Sequence, residues 1–170
     1  RNGEFTVNIA LVNKGKPEIG VIYVPVEKTL YIADVPKKEA YKVILESHDT
    51  SLESVLNLSV KIQLKEKGTS LIQVVGSRSH MNQKTLDYLD DLKQTGKDIE
   101  IVSKGSSLKF CLVAEGKADV YPRFAPTMEW DTAAGQAIWE AVGVSIISQE
   151  TKKELLYNKE DLLNPWFICK

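Results

Sequence analysis

Three strand-like segments joined by short turns occupy the first 34 residues, and they constrain the fold more than any other feature of the sequence. Apolar and polar residues alternate over residues 4–13, 20–26 and 29–34, which is the pattern of strands with one buried face. Gly15-Lys16-Pro17 and Glu27-Lys28 lie between them and are typical of turns. The sequence therefore predicts an antiparallel meander.

A second region, from about residue 70 onward, alternates between helix and strand patterns, which is typical of a layered α/β fold. Residues 36–69 are charged and poorly periodic, so we expect a surface loop there with a short strand at 59–63. We divide the chain into residues 1–69, a sheet with a surface loop, and 70–170, an α/β unit. The predicted strands are 71–75, 98–102, 118–122, 144–147 and 166–169, and the predicted helices are 82–95, 106–115 and 131–142.

Composition excludes several classes of protein. The 170 residues, 43% hydrophobic and 26% charged, are enough for one good core. A net charge of −1 creates no field that would attract nucleic acid, so we expect no nucleic-acid partner. Cys111 and Cys169 have no metal-site spacing, which indicates reduced, buried thiols in a cytoplasmic protein. No apolar stretch approaches the ~18 residues of a membrane-spanning helix.

Two positively charged residues are candidates for binding phosphate. Ser106 and Lys109 have the i, i+3 spacing of one helix face, next to Gly105, where the backbone can approach a ligand closely. The alternative is a Ser106 N-cap and a solvated Lys109. Arg123 follows a predicted strand, with Pro122 and Pro126 nearby, and is either a phosphate clamp or a surface charge.

Asp131 is the candidate metal ligand. It lies in Trp130-Asp-Thr-Ala-Ala-Gly135 at the start of a predicted helix, where its alternative role is that of N-cap. The Ala-Ala-Gly run removes side chains where a ligand could approach the backbone. A lone carboxylate holds Mg²⁺ poorly, because that ion is usually bound by one or two carboxylates together with phosphate oxygens and water.

A polar segment follows the strand predicted at 71–75. Gly76-Ser-Arg-Ser-His80 precedes a predicted helix, and such loops form the usual ligand-binding edge of α/β sheets. Ser77, Arg78 and His80 are therefore candidates for contacting a phosphate or a base. The alternative is a polar turn in which Ser79 or Asn82 caps the helix.

Together these segments resemble the 3′(2′),5′-bisphosphate nucleotidase family, bacterial branch, of the inositol monophosphatase superfamily. The likeness spans nearly the whole chain except residues 36–69. The resemblance implies an inositol-monophosphatase-like αβαβα sandwich. The matching motifs are residues 3–12, Gly20-Val-Ile-Tyr-Val-Pro25, Ser77-Arg-Ser-His80, the stretch from Gly105 to Gly135, and Tyr157-Asn-Lys-Glu-Asp-Leu-Leu-Asn-Pro-Trp-Phe167.

The resemblance implies an Mg²⁺-dependent phosphatase that converts 3′-phosphoadenosine 5′-phosphate to AMP and phosphate in sulfur assimilation. It implies that Asp131 is a metal ligand and that Ser106, Lys109 and Arg123 hold the nucleotide and its 5′-phosphate. It also implies that His80 lies at the nucleotide pocket. The alternatives are an inositol or sugar phosphate phosphatase of the same superfamily and a non-catalytic binding module.

The departures from the family pattern concern the metal. Family members supply further metal ligands from a Glu-Glu pair and an Asp-Pro-Ile/Leu-Asp-Gly-Thr turn, and this chain contains no Glu-Glu, Asp-Pro or Asp-Gly. We expect a C-terminal portion whose N-terminal part is missing and which is inactive alone. We also expect a homodimer through an exposed sheet edge, and a cytoplasmic location, with peripheral attachment to the inner face of the membrane as the alternative.

Overall fold

The structure, a computed structural model, describes residues 3–64, 70–76 and 81–170. The strands within these residues are β1 (Val7–Asn13), β2 (Lys16–Val24), β3 (Thr29–Asp34), β4 (Glu39–Ile44), β5 (Val60–Lys61), β6 (Leu71–Gly76), β7 (Asp98–Ser103), β8 (Tyr121–Arg123), β9 (Ile146–Ser148) and β10 (Phe167–Cys169). The helices are α1 (Leu52–Leu58), α2 (Gln83–Lys93), α3 (Leu108–Ala114) and α4 (Glu129–Ala141).

The first sheet is an antiparallel meander in which β1 to β5 follow one another in chain order, as predicted. Its register aligns Ala10, Gly20, Ala33 and Ala40 across four strands. These small residues form a shallow groove for α4, and a Cβ added at Gly20 would lie 2.5 Å from the carbonyl oxygen of Ala134. The close approach of helix and sheet therefore depends on glycine at this position.

The second sheet region is built from short pieces. β6 and β7 are parallel, β8, β10 and β9 are antiparallel, and a parallel bridge between Val74 and Val120 links the two groups. Val74 and Val120 are buried in a cluster with Leu89 of α2. Helix α2 therefore covers one side of this region, and α3 and α4 lie between it and the first sheet.

Helix α1 supplies the remaining layer. Its Val55 packs with Val43 and Leu45 on the face of the first sheet that α4 does not cover. The order of layers is therefore helix, sheet, helices, sheet, helix, which is the αβαβα arrangement that we expected. The main buried cluster draws on residues both before and after residue 69, from Ile22 to Cys169.

Aromatic side chains join α3 to α4 at the centre of the molecule. Phe110 and Trp139 have ring centroids 4.4 Å apart, and the Trp139 indole donates a hydrogen bond to the Phe110 carbonyl at 2.6 Å. Gly135 faces Phe110 so closely that an added Cβ would lie 2.2 Å from a ring carbon. The Ala-Ala-Gly run therefore serves helix packing, and the prediction that it lets a ligand approach the backbone is wrong for Gly135.

The prediction of a mainly unstructured surface loop at 36–69 is wrong for two segments. Residues 39–44 form β4, in which Ala40 and Val43 are buried, while Lys42 pairs with Glu115 at 3.0 Å. The charge of Lys42 interrupts the apolar alternation that would have indicated a strand. Residues 52–58 form α1, whose N-cap Ser51 accepts a hydrogen bond from the Ser54 amide. The predicted short strand at 59–63 corresponds to β5.

The outer face of β1 carries exposed apolar side chains. Phe5 precedes the strand and is 55% exposed, and Val7, Ile9 and Leu11 are 47%, 63% and 56% exposed. β1 is also one of the two edge strands of the five-stranded sheet that the described residues form. A row of apolar residues on a sheet edge is unusual for an uncovered surface.

Two further predictions concern the cysteines and membrane helices. Cys111 and Cys169 are both buried and free, as predicted. Among the described residues no helix has the length and apolar character required to cross a membrane.

Candidate functional site

A polar cavity of about 530 Å³ collects four of the five residues predicted for the site. It opens between β1, the first turns of α3 and α4, and the end of β8. Ser106, Lys109, Arg123 and Asp131 line it, and the other lining residues are Thr6, Asn8, Ser107, Phe110, Tyr121, Thr127 and Trp130. We call this cavity the phosphate pocket.

The segment before α3 differs from the predicted helix start. Helix α3 begins at Leu108, and Ser107 precedes it without a side-chain capping bond, so the prediction of Ser106 as N-cap is wrong. Ser106 has a left-handed backbone with φ of 47°, which is strained for a residue with a side chain. Its hydroxyl lies 2.7 Å from that of Thr6.

Gly105 is packed against a side chain of the same protein. Its amide donates a hydrogen bond to Glu4 Oε2 at 2.8 Å, and an added Cβ would lie 2.7 Å from the same oxygen. The glycine therefore makes room for Glu4, and its N–H already has an acceptor. The predicted close approach of a ligand to the backbone at Gly105 is wrong.

Lys109 is buried at the base of the phosphate pocket. It is only 8% exposed, so the alternative of a solvated lysine is wrong. The Nζ donates hydrogen bonds to the carbonyl oxygens of Ser106 and Lys104, at 3.0 and 3.3 Å. Burial, together with the charge of Arg123 and against the opposing charge of Glu4, lowers the pKa of Lys109 to about 8. An ammonium in this position would gain from a bound anion.

Arg123 has unused hydrogen-bonding capacity on the same side of the pocket. Its Nη2 donates to the Pro126 carbonyl at 3.1 Å, which fixes the guanidinium beside the proline. Its Nε is buried, and no described residue accepts a hydrogen bond from it. Buried donors without acceptors are rare, and a phosphate oxygen is a suitable acceptor for a guanidinium.

Asp131 is the third residue of α4, because the helix begins at Glu129 after the N-cap residue Met128. The predicted helix start at 131 is therefore wrong by two residues, and so is the alternative role of Asp131 as N-cap. The carboxylate is exposed, and its Oδ2 accepts a hydrogen bond from the Met128 amide at 2.9 Å. Asp131 therefore caps the helix from a position in its first turn, and it also lines the phosphate pocket.

Asn8 and Ser107, which were not among the predicted site residues, connect β1 to the starts of α3 and α4. Asn8 Nδ2 donates to Ser107 Oγ at 2.8 Å, and Ser107 Oγ lies 3.3 Å from the main-chain oxygen of Asp131. Asn8 Oδ1 is buried and has no partner among the described residues. The sequence contained a signal for Asn8, because it is a polar residue at an inward-facing position of β1, between two outward-facing apolar residues.

The described residues fit one ligand of a magnesium site and not a complete one. Among them no three His, Cys, Asp or Glu side chains cluster in a way that could hold a metal ion. Asp131 lines the pocket as a single carboxylate, and Mg²⁺ needs further oxygen ligands.

The predicted His80, with Ser77 and Arg78, lies outside the described residues. Gly76 ends β6, next to Ile101 and Met81. The role of these residues at a nucleotide pocket remains a prediction.

Comparison with known proteins assigns the class. The chain matches the inositol monophosphatase family over residues 1–166, and it belongs to that family. The 3′(2′),5′-bisphosphate nucleotidase CysQ of Salmonella typhimurium is 42% identical over 167 residues, a match that covers 98% of this chain and 60% of that protein. The Escherichia coli K12 nucleotidase CysQ is 41% identical with the same coverage.

Solved structures agree with this assignment. The crystal structure of CysQ from Bacteroides thetaiotaomicron, a bacterial member of the inositol monophosphatase family, has a TM-score of 0.88 and 51% sequence identity. It matches 99% of this chain and 63% of its own. Inositol monophosphatase-II from Staphylococcus aureus, with a TM-score of 0.71, 15% identity and a match over 98% of this chain and 55% of its own, shares the fold. The chain spans about three fifths of the length of the curated nucleotidases that it matches.

Proposed function

We propose that this chain forms the phosphate-binding part of an Mg²⁺-dependent phosphatase that acts on 3′-phosphoadenosine 5′-phosphate. The reaction would remove the 3′-phosphate to give AMP and phosphate, a step that serves sulfur assimilation. The likeness to nucleotidases at 41–42% identity supports this substrate. The observation that carries the proposal is the buried Lys109 beside Arg123 in one polar pocket.

The two cations would hold a phosphate of the nucleotide. Lys109 hydrogen-bonds to main-chain carbonyls, so an incoming anion compensates a charge that the fold has already desolvated. Arg123 would add donors in a planar arrangement that suits phosphate oxygens. The hydroxyl of Ser106 would donate a further hydrogen bond, and the half-exposed Trp130 offers an aromatic surface for a base.

Asp131 would supply one ligand to Mg²⁺. When bound, the metal would activate a water and neutralise charge on the leaving oxygen. The described residues contribute a single carboxylate, so we propose that this chain alone binds the nucleotide and turns it over slowly or not at all. His80 is proposed to lie at the nucleotide pocket.

Two other functions compete with this proposal. An inositol or sugar phosphate phosphatase would use the same fold and the same cations, without a base to bind. A non-catalytic nucleotide-binding module is favoured by one observation, that the described residues lining the pocket include a single carboxylate.

Phosphate release decides among these functions. The 170-residue chain is incubated with 3′-phosphoadenosine 5′-phosphate and, in parallel, inositol phosphate, with and without Mg²⁺. AMP binding is measured by calorimetry. We expect AMP binding with little release, and Mg²⁺-dependent release from the nucleotide by a longer version of the protein. Enzyme-like turnover by the chain alone would contradict the incomplete metal site, and release from inositol phosphate alone would favour the first alternative.

We also propose a homodimer through the edge of the first sheet. The support is the row of exposed apolar side chains on and before β1, from Phe5 to Leu11, on a strand whose outer edge no described strand pairs with. A dimer mass in light scattering, reduced to a monomer by Ile9→Lys, is the expected result. A monomer mass for the unaltered chain would contradict it.

A cytoplasmic location is proposed as well. The two free, buried thiols Cys111 and Cys169 support it, since reducing compartments keep thiols unpaired. Peripheral attachment to the inner face of the membrane is the alternative, and cell fractionation separates the two.

A further inference from the structure

The segment of residues 157–164 belongs to a sequence motif that the phosphate pocket does not use. It has no regular secondary structure, yet Tyr157 and Asn164 are 3% and 4% exposed. Such burial of an irregular segment requires its polar groups to find partners within the protein. We call residues 157–164 the clasp, because their partners lie on the first turns of α4.

We propose that the clasp fixes the position of the Asp131 carboxylate and that Glu129 is the positioning residue through which it acts. The proposal rests on the proposed function in one respect, the ligand role of Asp131. The fixing of the carboxylate itself is independent of that role and can be measured without any ligand.

The buried carboxylate of Glu129 gathers donors from the clasp. Its Oε2 accepts a hydrogen bond from the Asn158 amide at 2.6 Å, and its Oε1 accepts one from the Lys159 amide at 3.2 Å. The Lys159 ammonium also pairs with Oε1. These bonds lower the pKa of Glu129, against the opposing effect of burial, so the carboxylate stays charged. Asn158 has a left-handed backbone with φ of 60°, which asparagine tolerates better than most residues.

Main-chain hydrogen bonds also join the clasp to the start of α4 and to the residues just before it. The Glu129 amide donates to the Leu162 carbonyl at 3.0 Å, and the Asn164 amide donates to the Thr127 carbonyl at 2.8 Å. An isolated antiparallel bridge joins Met128 to Leu163. The clasp therefore pairs with the two residues before α4 and with its first residue, Glu129, as one strand pairs with another.

Met128 is the link between the clasp and the pocket. Its main chain pairs with Leu163, and its amide donates to Asp131 Oδ2 at 2.9 Å. Displacement of Met128 would therefore release the Asp131 carboxylate. Glu129 and Asp131 are two positions apart, so they project about 200° apart around the helix. Of the two, Asp131 lines the phosphate pocket, which is why Glu129 is a positioning residue.

Amide hydrogen exchange at Met128 tests the positioning role directly. The Glu129→Gln variant keeps the shape of the side chain and removes its charge. The matched control is Glu140→Gln, which alters a less buried carboxylate of α4. Glu140 accepts from Gln136 Nε2 and is linked to the clasp only indirectly, through the bond from the Tyr157 hydroxyl to Gln136 Oε1. We expect Met128 exchange to rise about tenfold in Glu129→Gln, relative to the core amide of Ile138, and about twofold or less in the control.

A second variant keeps the test decisive if Glu129→Gln folds poorly. Lys159→Met removes the ammonium and keeps both main-chain donors to Glu129. We expect a smaller rise of Met128 exchange in the same direction, which Lys159→Arg would restore. Faster exchange at Asn158 and Lys159 with Met128 unchanged, in either variant, would overturn the proposal, because the clasp would then be independent of Asp131.

The functional consequence is measured with Mn²⁺ as a paramagnetic probe. Manganese in the presence of AMP should broaden the Trp130 indole signal of the unaltered chain, and the broadening should fall at least about threefold in Glu129→Gln. Equal broadening in both proteins would overturn the proposed effect on the ligand. Absence of broadening in the unaltered chain would contradict the ligand role of Asp131, while Met128 exchange would still decide the positioning role.

Discussion

The first turns of α3 and α4 face the same pocket and are held in opposite ways. Ser106, just before α3, has a strained backbone, and Lys109, in its first turn, is buried and donates to two carbonyl oxygens. At the start of α4, Glu129 and Thr132 are buried within a dense hydrogen-bond network. The α3 side therefore carries a strained residue and a desolvated cation, whereas the α4 side is held by many hydrogen bonds, although Asn164 Oδ1 has no partner among the described residues.

This difference shows how one pocket can combine cations that bind an anion with a carboxylate that is proposed to bind a metal ion. Cations that bind phosphate gain most when the folded protein leaves them desolvated and unpaired, at a cost in stability. A carboxylate that is to be a metal ligand must stay exposed, so its position has to be fixed through its neighbours. Substitutions on the two sides should therefore differ in how they affect stability and binding.

The largest effect is expected where both helices meet. In Gly135→Ala the new methyl carbon would lie 2.2 Å from the Phe110 ring, which forces α3 and α4 apart. We expect the free energy of unfolding to fall by about 3 kcal/mol or more, and AMP binding to be lost with it. Urea unfolding followed by tryptophan fluorescence measures the change.

Gly76→Ala is the control for that experiment. A Cβ at Gly76 would lie 3.5 Å from the Ile101 side chain, an ordinary contact. We expect its free energy of unfolding to stay within about 1 kcal/mol of the original value. Equal losses in the two variants would show that the close contact between α3 and α4 is not the cause.

The next effect concerns the α4 side alone. Thr132 is fully buried, and its hydroxyl accepts a hydrogen bond from Asn164 Nδ2 at 2.9 Å and lies 3.2 Å from the Tyr157 hydroxyl. Thr132→Val replaces this hydroxyl by a methyl group at nearly constant volume and leaves its partners without it. We therefore expect the free energy of unfolding to fall by about 2 kcal/mol. Thermal unfolding measures it, and Thr127→Val, on the more exposed hydroxyl at 3.3 Å from Asn164, is the matched control. A loss confined to the control would contradict the assigned network.

Lys109→Met should separate stability from binding on the α3 side. It removes a buried charge that hydrogen-bonds to two carbonyl oxygens, so we expect the free energy of unfolding to rise by about 1 kcal/mol. AMP affinity, measured by calorimetry, should fall about tenfold or more. A variant that is less stable and binds AMP normally would show that Lys109 is structural.

The pH dependence of the same pair gives an independent check. The pKa of Lys109 is about 8 in the folded protein, below its usual value, so between that pH and about 10.4 the unfolded chain binds more protons. Stability of the original protein should therefore rise relative to Lys109→Met across this range. AMP affinity should fall as the pH passes 8, since the ammonium is lost, and no such fall is expected in the variant.

The contrast between the two helix starts also explains what could be predicted from the sequence. The meander, the α/β alternation and four pocket residues were predictable because periodicity and motif spacing are local properties. The strained Ser106 and the burial of Lys109 were not, since Glu4 and Thr6, which are distant in sequence, pack beside this segment. The capping role of Asp131 is a local contact with the Met128 amide, and it was missed because α4 starts two residues before the predicted position. Strand β4 was missed because Lys42 pairs with Glu115, a partner 73 positions away.

The smallest expected effect isolates the strain before α3. Ser106→Gly and Ser106→Ala both lose the hydroxyl that lies 2.7 Å from Thr6, but only glycine adopts a φ of 47° without strain. We expect the glycine variant to be the more stable of the two by about 1 kcal/mol in chemical denaturation. If the hydroxyl binds phosphate, the two variants lose the same AMP affinity in spite of their different stabilities. A glycine variant that binds AMP better than the alanine variant would instead show that backbone geometry at Ser106, and not its hydroxyl, prepares the α3 side for the anion.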